Sequence, residues 1–387
     1  MHKSYAINHI KIVLPDEVFI GSIEIEDGKI KTIQKEPFPH GETIDGILMP
    51  GFIDNHIHGG YGYDFMDAKE SAINEIAVNL LKEGTTGFLA TTLTDSIENI
   101  QNALSTIARY DAFFPQKGAQ LYGVHLEGPF ISEVYKGAQN PKYILKPSIS
   151  CFQLFEKASN YLIKKVTLAP ELEDAMSLIS YLKNKHIVAS IGHSNASYEI
   201  GLEAVEKGAN SVTHFYNAMT HLHHRDAGLV GLGLINKTLK TEIILDGIHV
   251  SKPALDLLIQ SKSSNQVIFV TDSMRAKGLG EGIYDLAGQQ VTVKNDARLS
   301  DGTLAGSILA MNAACKYAKE VLKLDLSVIS KMASLNPARE IHMADRKGSI
   351  EVGKDADLVI LDHDFNVIRT IIAGKTVYEN NKRSNPL

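Results

Sequence analysis

Pro50-Gly51-Phe52-Ile53-Asp54-Asn55-His56-Ile57-His58-Gly59-Gly60 is the stretch from which the architecture follows. Phe52-Ile53 opens an apolar run and Gly59-Gly60 breaks it, the pattern of a short buried strand running into a turn. Strand side chains alternate between faces, so His56 and His58 point the same way. Two imidazoles on one face of a strand end can converge on one metal ion that takes nitrogen ligands. Two loop histidines would show the same spacing, so the rest of the chain decides.

From residue 51 to residue 344 apolar strands alternate with amphipathic helices. Eight strands are expected: Phe52–His58, Phe88–Thr92, Leu121–Glu127, Val166–Pro170, Ile187–His193, Ser211–His214, Glu242–Asp246 and Val267–Asp272. Helical runs such as Ala72–Glu83 and Tyr198–Lys207 lie between them, closed by Gly84 and Gly208 as C-terminal stops. Eight such units in an α/β chain predict a (β/α)8 TIM barrel over residues 51–344. A doubly wound open sheet has the same periodicity, because periodicity does not register closure.

The two ends differ from this middle. Glu26-Asp27-Gly28-Lys29 joins alternating runs and reads as a hairpin, as does the region of Ala373-Gly374-Lys375 after the strand Asp357–Leu361. Residues 1–50 and 345–387 are therefore expected to build one small β-sandwich domain together. Gly278-Leu279-Gly280-Glu281-Gly282 follows a strand with no helix signal behind it. It reads as a mobile active-site loop rather than a phosphate cradle.

A chain of 387 residues with 44% hydrophobic content can bury a large core. Its net charge of −6 is spread without blocks of like charge, which speaks against nucleic acid or an anionic membrane as partner. The start Met1-His2-Lys3-Ser4-Tyr5 lacks an apolar signal core, and no run reaches membrane-spanning length. Cys151 and Cys315 make no disulfide framework and read as buried structural thiols. A cytoplasmic protein is the expectation.

The metal-competent residues fall at strand ends. His56 and His58 close the first expected strand, Glu127 the third, His193 the fifth, His214 the sixth and Asp272 the eighth. In a barrel those ends share one mouth, where barrel enzymes keep their chemistry. Four histidines and two carboxylates there suit one or two divalent ions, with zinc, iron, manganese and cobalt all compatible. Glu127 has two oxygens and can bridge two ions, which two-metal hydrolases hold roughly 3.5–4 Å apart. Asp272 suits a general base for the attacking water, or a metal ligand. His125 lies two residues before Glu127 and reads as a hydrogen-bonded support behind the ligands, with a further ligand as the alternative. His221, His223 and His224 read as solvated loop residues.

The chain resembles the amidohydrolase superfamily, and within it the N-acetylglucosamine-6-phosphate deacetylase family. The resemblance rests on Pro50–His58, His125-Leu126-Glu127-Gly128-Pro129-Phe130, Lys136-Gly137-Ala138-Gln139-Asn140-Pro141, Gly192-His193-Ser194-Asn195-Ala196 and Thr213–Met219. Asp246-Gly247-Ile248-His249-Val250, Val270-Thr271-Asp272 and Gly302–Ser307 continue the series in family order. It implies hydrolysis of the acetamide of N-acetyl-D-glucosamine 6-phosphate to glucosamine 6-phosphate and acetate, in amino-sugar catabolism. It implies Glu127, His193 and His214 as principal metal ligands and Asp272 as catalytic acid/base. His56 and His58 imply a second ion, with zinc or iron the leading identities. Sugar-phosphate contacts are implied for Asn217, Ala218, Arg225 and His249, with Ala138, Gln139, Leu304, Ala305 and Gly306 also lining the substrate site. The resemblance further implies a homodimer with phosphate contacts near or across the subunit interface. The fourth strand ends Leu168-Ala169-Pro170-Glu171, without the modified lysine of many superfamily members, so bridging falls to Glu127. Gln139 stands where some relatives carry a histidine, and an amide cannot become cationic. N-acetylgalactosamine 6-phosphate, a cyclic amide, and a non-catalytic sugar-phosphate binding role remain alternatives.

Overall fold

Strands buried on both faces need no polar alternation, which is why the middle of the chain reads as short apolar runs. In the structure, a computed structural model describing residues 4–380, these runs form eight parallel strands. They are β1 (Phe52–Ile57), β2 (Thr85–Thr92), β3 (Gln120–Glu127), β4 (Ile163–Leu168), β5 (Val188–Ile191), β6 (Ser211–Val212), β7 (Lys240–Ile244) and β8 (Val267–Val270). Each pairs with its sequence neighbour, in the order β1 to β8. The sheet then returns on itself. Ile57 bridges Ser273, the Asp272 N–H donates to the His56 carbonyl at 2.8 Å, and the His58 and Gly59 N–H groups donate to the Ser273 carbonyl. An open doubly wound sheet has no such seam, so the barrel alternative holds.

The helices pack outside. Tyr198–Lys207 starts on Ser197, whose hydroxyl accepts from the Ile200 N–H, and stops at Gly208. The expected helix Ala72–Glu83 is Glu70–Leu80 followed by a 3₁₀ turn ending at left-handed Gly84. Phe52, Phe88, Val124, Leu168 and Phe269 belong to one continuous core shared by strands and helices.

Both termini contribute to a second sheet. Leu358–Leu361 pairs antiparallel with Ile47–Pro50, joining C-terminal strands to N-terminal ones in a mixed sheet. Ile7, Ile12, Ile23, Ile25, Leu48, Leu358 and Ile360 form its separate core. Both anticipated hairpins are present, with left-handed Asp27-Gly28 and Ala373-Gly374 at their tips. A Cβ on Gly28 would lie 2.9 Å from the Ala373 carbonyl, so the two turns touch because Gly28 has none. Residues 1–3 and 381–387, the outer ends of the expected 1–50 and 345–387 β domain, lie outside the described residues.

The glycine-rich run 278–282 leads into structure that its sequence did not suggest. Gly282–Leu286, Gln289–Val293 and Ala297–Arg298 form a three-stranded antiparallel sheet. The Gln289 side chain of this sheet donates to the Ala138 carbonyl, at the barrel mouth.

Candidate metal centre

Five of the expected ligands sit at or just beyond the C-terminal ends of strands. Glu127 is the last residue of β3 and His58 follows β1, while His193, His214 and Asp272 each come two residues after β5, β6 and β8. These last three have φ of 49°, 30° and 47°, a left-handed conformation that disfavours side chains with a Cβ. Such strain costs on the order of 1–3 kcal/mol per residue and persists only where neighbours hold it. Here the neighbours are explicit. The Ser132 N–H donates to the His193 carbonyl at 2.8 Å, and the Ser307 N–H donates to the Asp272 carbonyl at 2.7 Å. The His214 N–H donates to Glu242 at 3.2 Å.

The resulting side chains form two triads, His56–His58–Asp272 and Glu127–His193–His214, and within each the ligand atoms lie within 4.8 Å of one another. Glu127 faces both. Its Oε1 is 3.2 Å from His56 Nε2, 3.5 Å from His193 Nε2 and 3.3 Å from His214 Nε2, and its Oε2 is 3.2 Å from His58 Nε2. Asp272 Oδ1 approaches His58 Nε2 at 3.1 Å and His56 Nε2 at 3.4 Å.

This donor set fits divalent metal. His193 Nδ1 is 2.9 Å from the Tyr135 carbonyl, an oxygen that can only accept, so that nitrogen carries the proton and Nε2 presents a lone pair. His56 Nδ1 meets the Glu242 carboxylate at 3.1 Å with the same consequence. Two carboxylates and several nitrogen lone pairs thus face a shared space, an arrangement that calls for cations. The same demand for positive charge shows in the pull of the carboxylates on protons. Burial lowers the affinity of His58 for a proton, yet hydrogen bonds to Asp272 and Glu127 raise its pKa to about 9. Burial likewise opposes charge on Asp272, but His56 and His58 hold its carboxyl below the usual range, ionised at neutral pH.

The triads open into a cavity of about 460 Å³. Ala138, Gln139, Asn217, Ala218, His249, Leu304 and Gly306 line it with His58, Glu127, His193, His214 and Asp272. Three expected residues do not line it. His56 is fully buried behind His58, and Ala305 is buried in the small core beneath the three-stranded sheet. Arg225 is exposed in the loop after β6, its guanidinium 2.7 Å from His224 Nε2. His249 is oriented by Asp246, whose Oδ2 lies 2.6 Å from its Nδ1. His221, His223 and His224 are exposed, as anticipated. Cys315 is buried, whereas Cys151 is only partly so, at the start of an outer helix.

Gln139 has a use its sequence position did not disclose. Its carbonyl oxygen accepts from the Thr94 N–H at 2.7 Å and its amide donates to Glu127 Oε2 at 2.7 Å. The amide therefore braces the carboxylate that faces both triads. Replacing Gln139 with alanine should lower turnover about 10–100-fold, the usual cost of losing an outer hydrogen bond to a metal ligand. Steady-state rates alongside metal content check this.

His125 lies deeper, as expected, with Nε2 2.7 Å from Thr167 Oγ1 and its ring edge-on to His56. Burial keeps it neutral, its pKa well below the ordinary imidazole value. What sequence reasoning missed is the layer below. Lys165 on β4, Glu242 on β7 and Glu340 at the end of the short helix Asn336–Glu340 are all buried, and the signal for the first two was a charged residue within a barrel strand. The cavity-lining Tyr135, Leu286, Arg298 and Thr303 were also unanticipated.

Comparison with known proteins yields a match to the amidohydrolase family model over residues 47–377. The chain is 44% identical to N-acetylglucosamine-6-phosphate deacetylase of Bacillus subtilis (strain 168), covering 98% of each sequence. It is 35% identical to N-acetylgalactosamine-6-phosphate deacetylase of Escherichia coli O157:H7, over 91% of this chain and 93% of that one. The crystal structure of N-acetylglucosamine-6-phosphate deacetylase from Thermotoga maritima superposes with a TM-score of 0.89 at 38% identity, covering 97% of this chain and all of the other.

Proposed function

The chain belongs to the amidohydrolase family, and from that premise we propose that it hydrolyses the acetamide of N-acetyl-D-glucosamine 6-phosphate, releasing acetate and glucosamine 6-phosphate. The observation that carries this is Glu127, one carboxylate within 3.5 Å of the imidazole Nε2 atoms of all four triad histidines. Full-length similarity to a deacetylase of this name supplies the substrate.

His56, His58 and Asp272 would hold one divalent ion, and Glu127, His193 and His214 another, with zinc or iron leading. Such ions lower the pKa of bound water to about 7 and polarise a carbonyl. The residues supply the rest. Asp272, ionised at neutral pH and beside the cavity, accepts the proton of the attacking water at its carboxylate. It returns that proton to the departing amine nitrogen. His249 and Asn217 line the wall where the sugar phosphate is held, and Gln139 keeps Glu127 in place. No side-chain nucleophile is required, and neither cysteine lines the cavity.

Arg225 stands outside the cavity of its own chain, which supports its assignment to the phosphate of a neighbouring copy in a homodimer. Two free cysteines support a reducing, cytoplasmic setting. N-acetylgalactosamine 6-phosphate is the second reading, favoured by the 35% identical relative of that activity. Acetate release from both phosphorylated sugars and from unphosphorylated N-acetylglucosamine decides, with metal content measured in the same samples. The glucosamine derivative should be turned over fastest and the unphosphorylated sugar slowest. Faster release from the galactosamine derivative would reverse the assignment, and no release from metal-loaded protein would leave a binding protein.

A further inference from the structure

Beneath the two triads a line of buried charges crosses the barrel interior. Glu242, fully buried on β7, uses both oxygens. Its Oε2 accepts from His56 Nδ1 at 3.1 Å and from the main-chain N–H of His214 at 3.2 Å. Its Oε1 accepts from the Lys165 ammonium at 2.5 Å. Lys165, equally buried on β4, also donates to Glu340 Oε2 at 3.1 Å. Glu340 is satisfied in turn by Asn55 Nδ2 at 3.0 Å and the Ser211 hydroxyl at 2.7 Å. One oxygen of Glu242 therefore touches a member of each triad, while the other is claimed by a cation.

The four imidazoles are not supported alike. His193 has a main-chain carbonyl behind it, whereas the Nδ1 atoms of His58 and His214 have no hydrogen-bond partner among the described residues. Among the described residues, His56 is the candidate ligand whose Nδ1 is held by a buried carboxylate. A carboxylate can only accept, so it fixes the proton on Nδ1 and leaves the Nε2 lone pair facing Glu127 and Asp272.

We propose that Glu242 is a positioning residue for the metal centre, fixing the tautomer of His56 and the strand end of His214, with Lys165 dictating which way its head group is used. The inference rests on the reading of His56 as a metal ligand.

The chemistry makes a specific demand of the variant Glu242→Gln. The Lys165 ammonium selects the amide oxygen, so the amide NH2 must turn to His56 Nδ1. That nitrogen then has to accept, the proton moves to Nε2, and Nε2 can no longer ligate. Adding Lys165→Met frees the amide to turn over, offering its oxygen to His56 again, and Glu340 keeps Asn55 and Ser211 as donors.

The test uses full-length protein equilibrated with zinc(II). Zinc equivalents are measured by plasma mass spectrometry, and the protonated nitrogen of His56 is read by 15N NMR of labelled histidine. Circular dichroism confirms the fold. The wild type should bind two equivalents with His56 protonated on Nδ1. Glu242→Gln should lose the equivalent of the His56 triad and carry the His56 proton on Nε2. The double variant should regain both features, which a merely structural role for Glu242 would not produce. Unchanged zinc content and tautomer in Glu242→Gln, or no recovery in the double variant, would overturn the positioning role. A wild-type chain holding a single equivalent would instead overturn the two-triad reading beneath it.

Discussion

Replacing Asp272 with asparagine should lower turnover by about 10²–10⁴-fold, the range expected when a positioned general base is removed, with little change in KM. Asparagine keeps the shape and one oxygen near His58 Nε2, but it cannot accept a proton from water at neutral pH. The effect belongs to kcat, because the carboxylate acts on the proton that moves in the transition state and not on the sugar phosphate. Glu127, His193 and His214 remain to hold metal, so metal content is measured together with the rate. A metal-replete Asp272→Asn protein with near-normal kcat would remove Asp272 from the role of base.

A still larger loss is expected from Glu127→Gln. The four imidazole nitrogens converge on this carboxylate, and an amide offers one oxygen in place of two with an NH2 group at the other position. Both triads lose the anion between them. Metal content should fall towards zero, and turnover by about 10⁴-fold or more, since water that no ion polarises is far too weak an acid to supply hydroxide at neutral pH. Two equivalents retained in Glu127→Gln would show that each triad is self-sufficient and that Glu127 does not bridge. Comparing these two variants separates loss of the base from loss of the whole centre, since Asp272→Asn leaves the Glu127–His193–His214 triad intact whereas Glu127→Gln should strip the protein.

The barrel was legible in the sequence because buried parallel strands leave apolar runs of the right length, with glycines such as Gly84 and Gly208 marking the helix ends. The triads were legible for a related reason. Barrel geometry sends all C-terminal strand ends to one mouth, so His58, Glu127, His193, His214 and Asp272 could be brought together without knowing a single distance. Closure was not legible, since the bond from Asp272 to His56 joins the two ends of the barrel and leaves no periodic trace. Nor was the sheet from Gly282 to Arg298. Its hairpin turns on Ala287-Gly288, a weaker signal than Asn-Gly, directly after a glycine-rich run that suggested only a loop. The partnership of Lys165, Glu242 and Glu340 was hidden too, because each charge needs the other two to make burial tolerable and they come from distant elements. Arg225 and Gln139 show the difference between placing a residue at a site and knowing its contact. Sequence put both near substrate, whereas the structure turns Gln139 onto Glu127 and leaves Arg225 outside.

The seam of the barrel also governs when this protein can first act. Asp54 and Thr271 bond across it, although 217 positions separate them along the chain, and Asp272 donates its backbone N–H to His56 of the first strand and accepts one from the Ser307 N–H. A nascent chain on the ribosome therefore exposes His56 and His58 long before their carboxylate partner exists. Until Asp272 has emerged, the proposed base is missing, and until Ser307 follows, the Asp272 carbonyl lacks its backbone donor. Synthesis and competence are thereby tied together: a chain terminated early carries a histidine pair, but no enzyme.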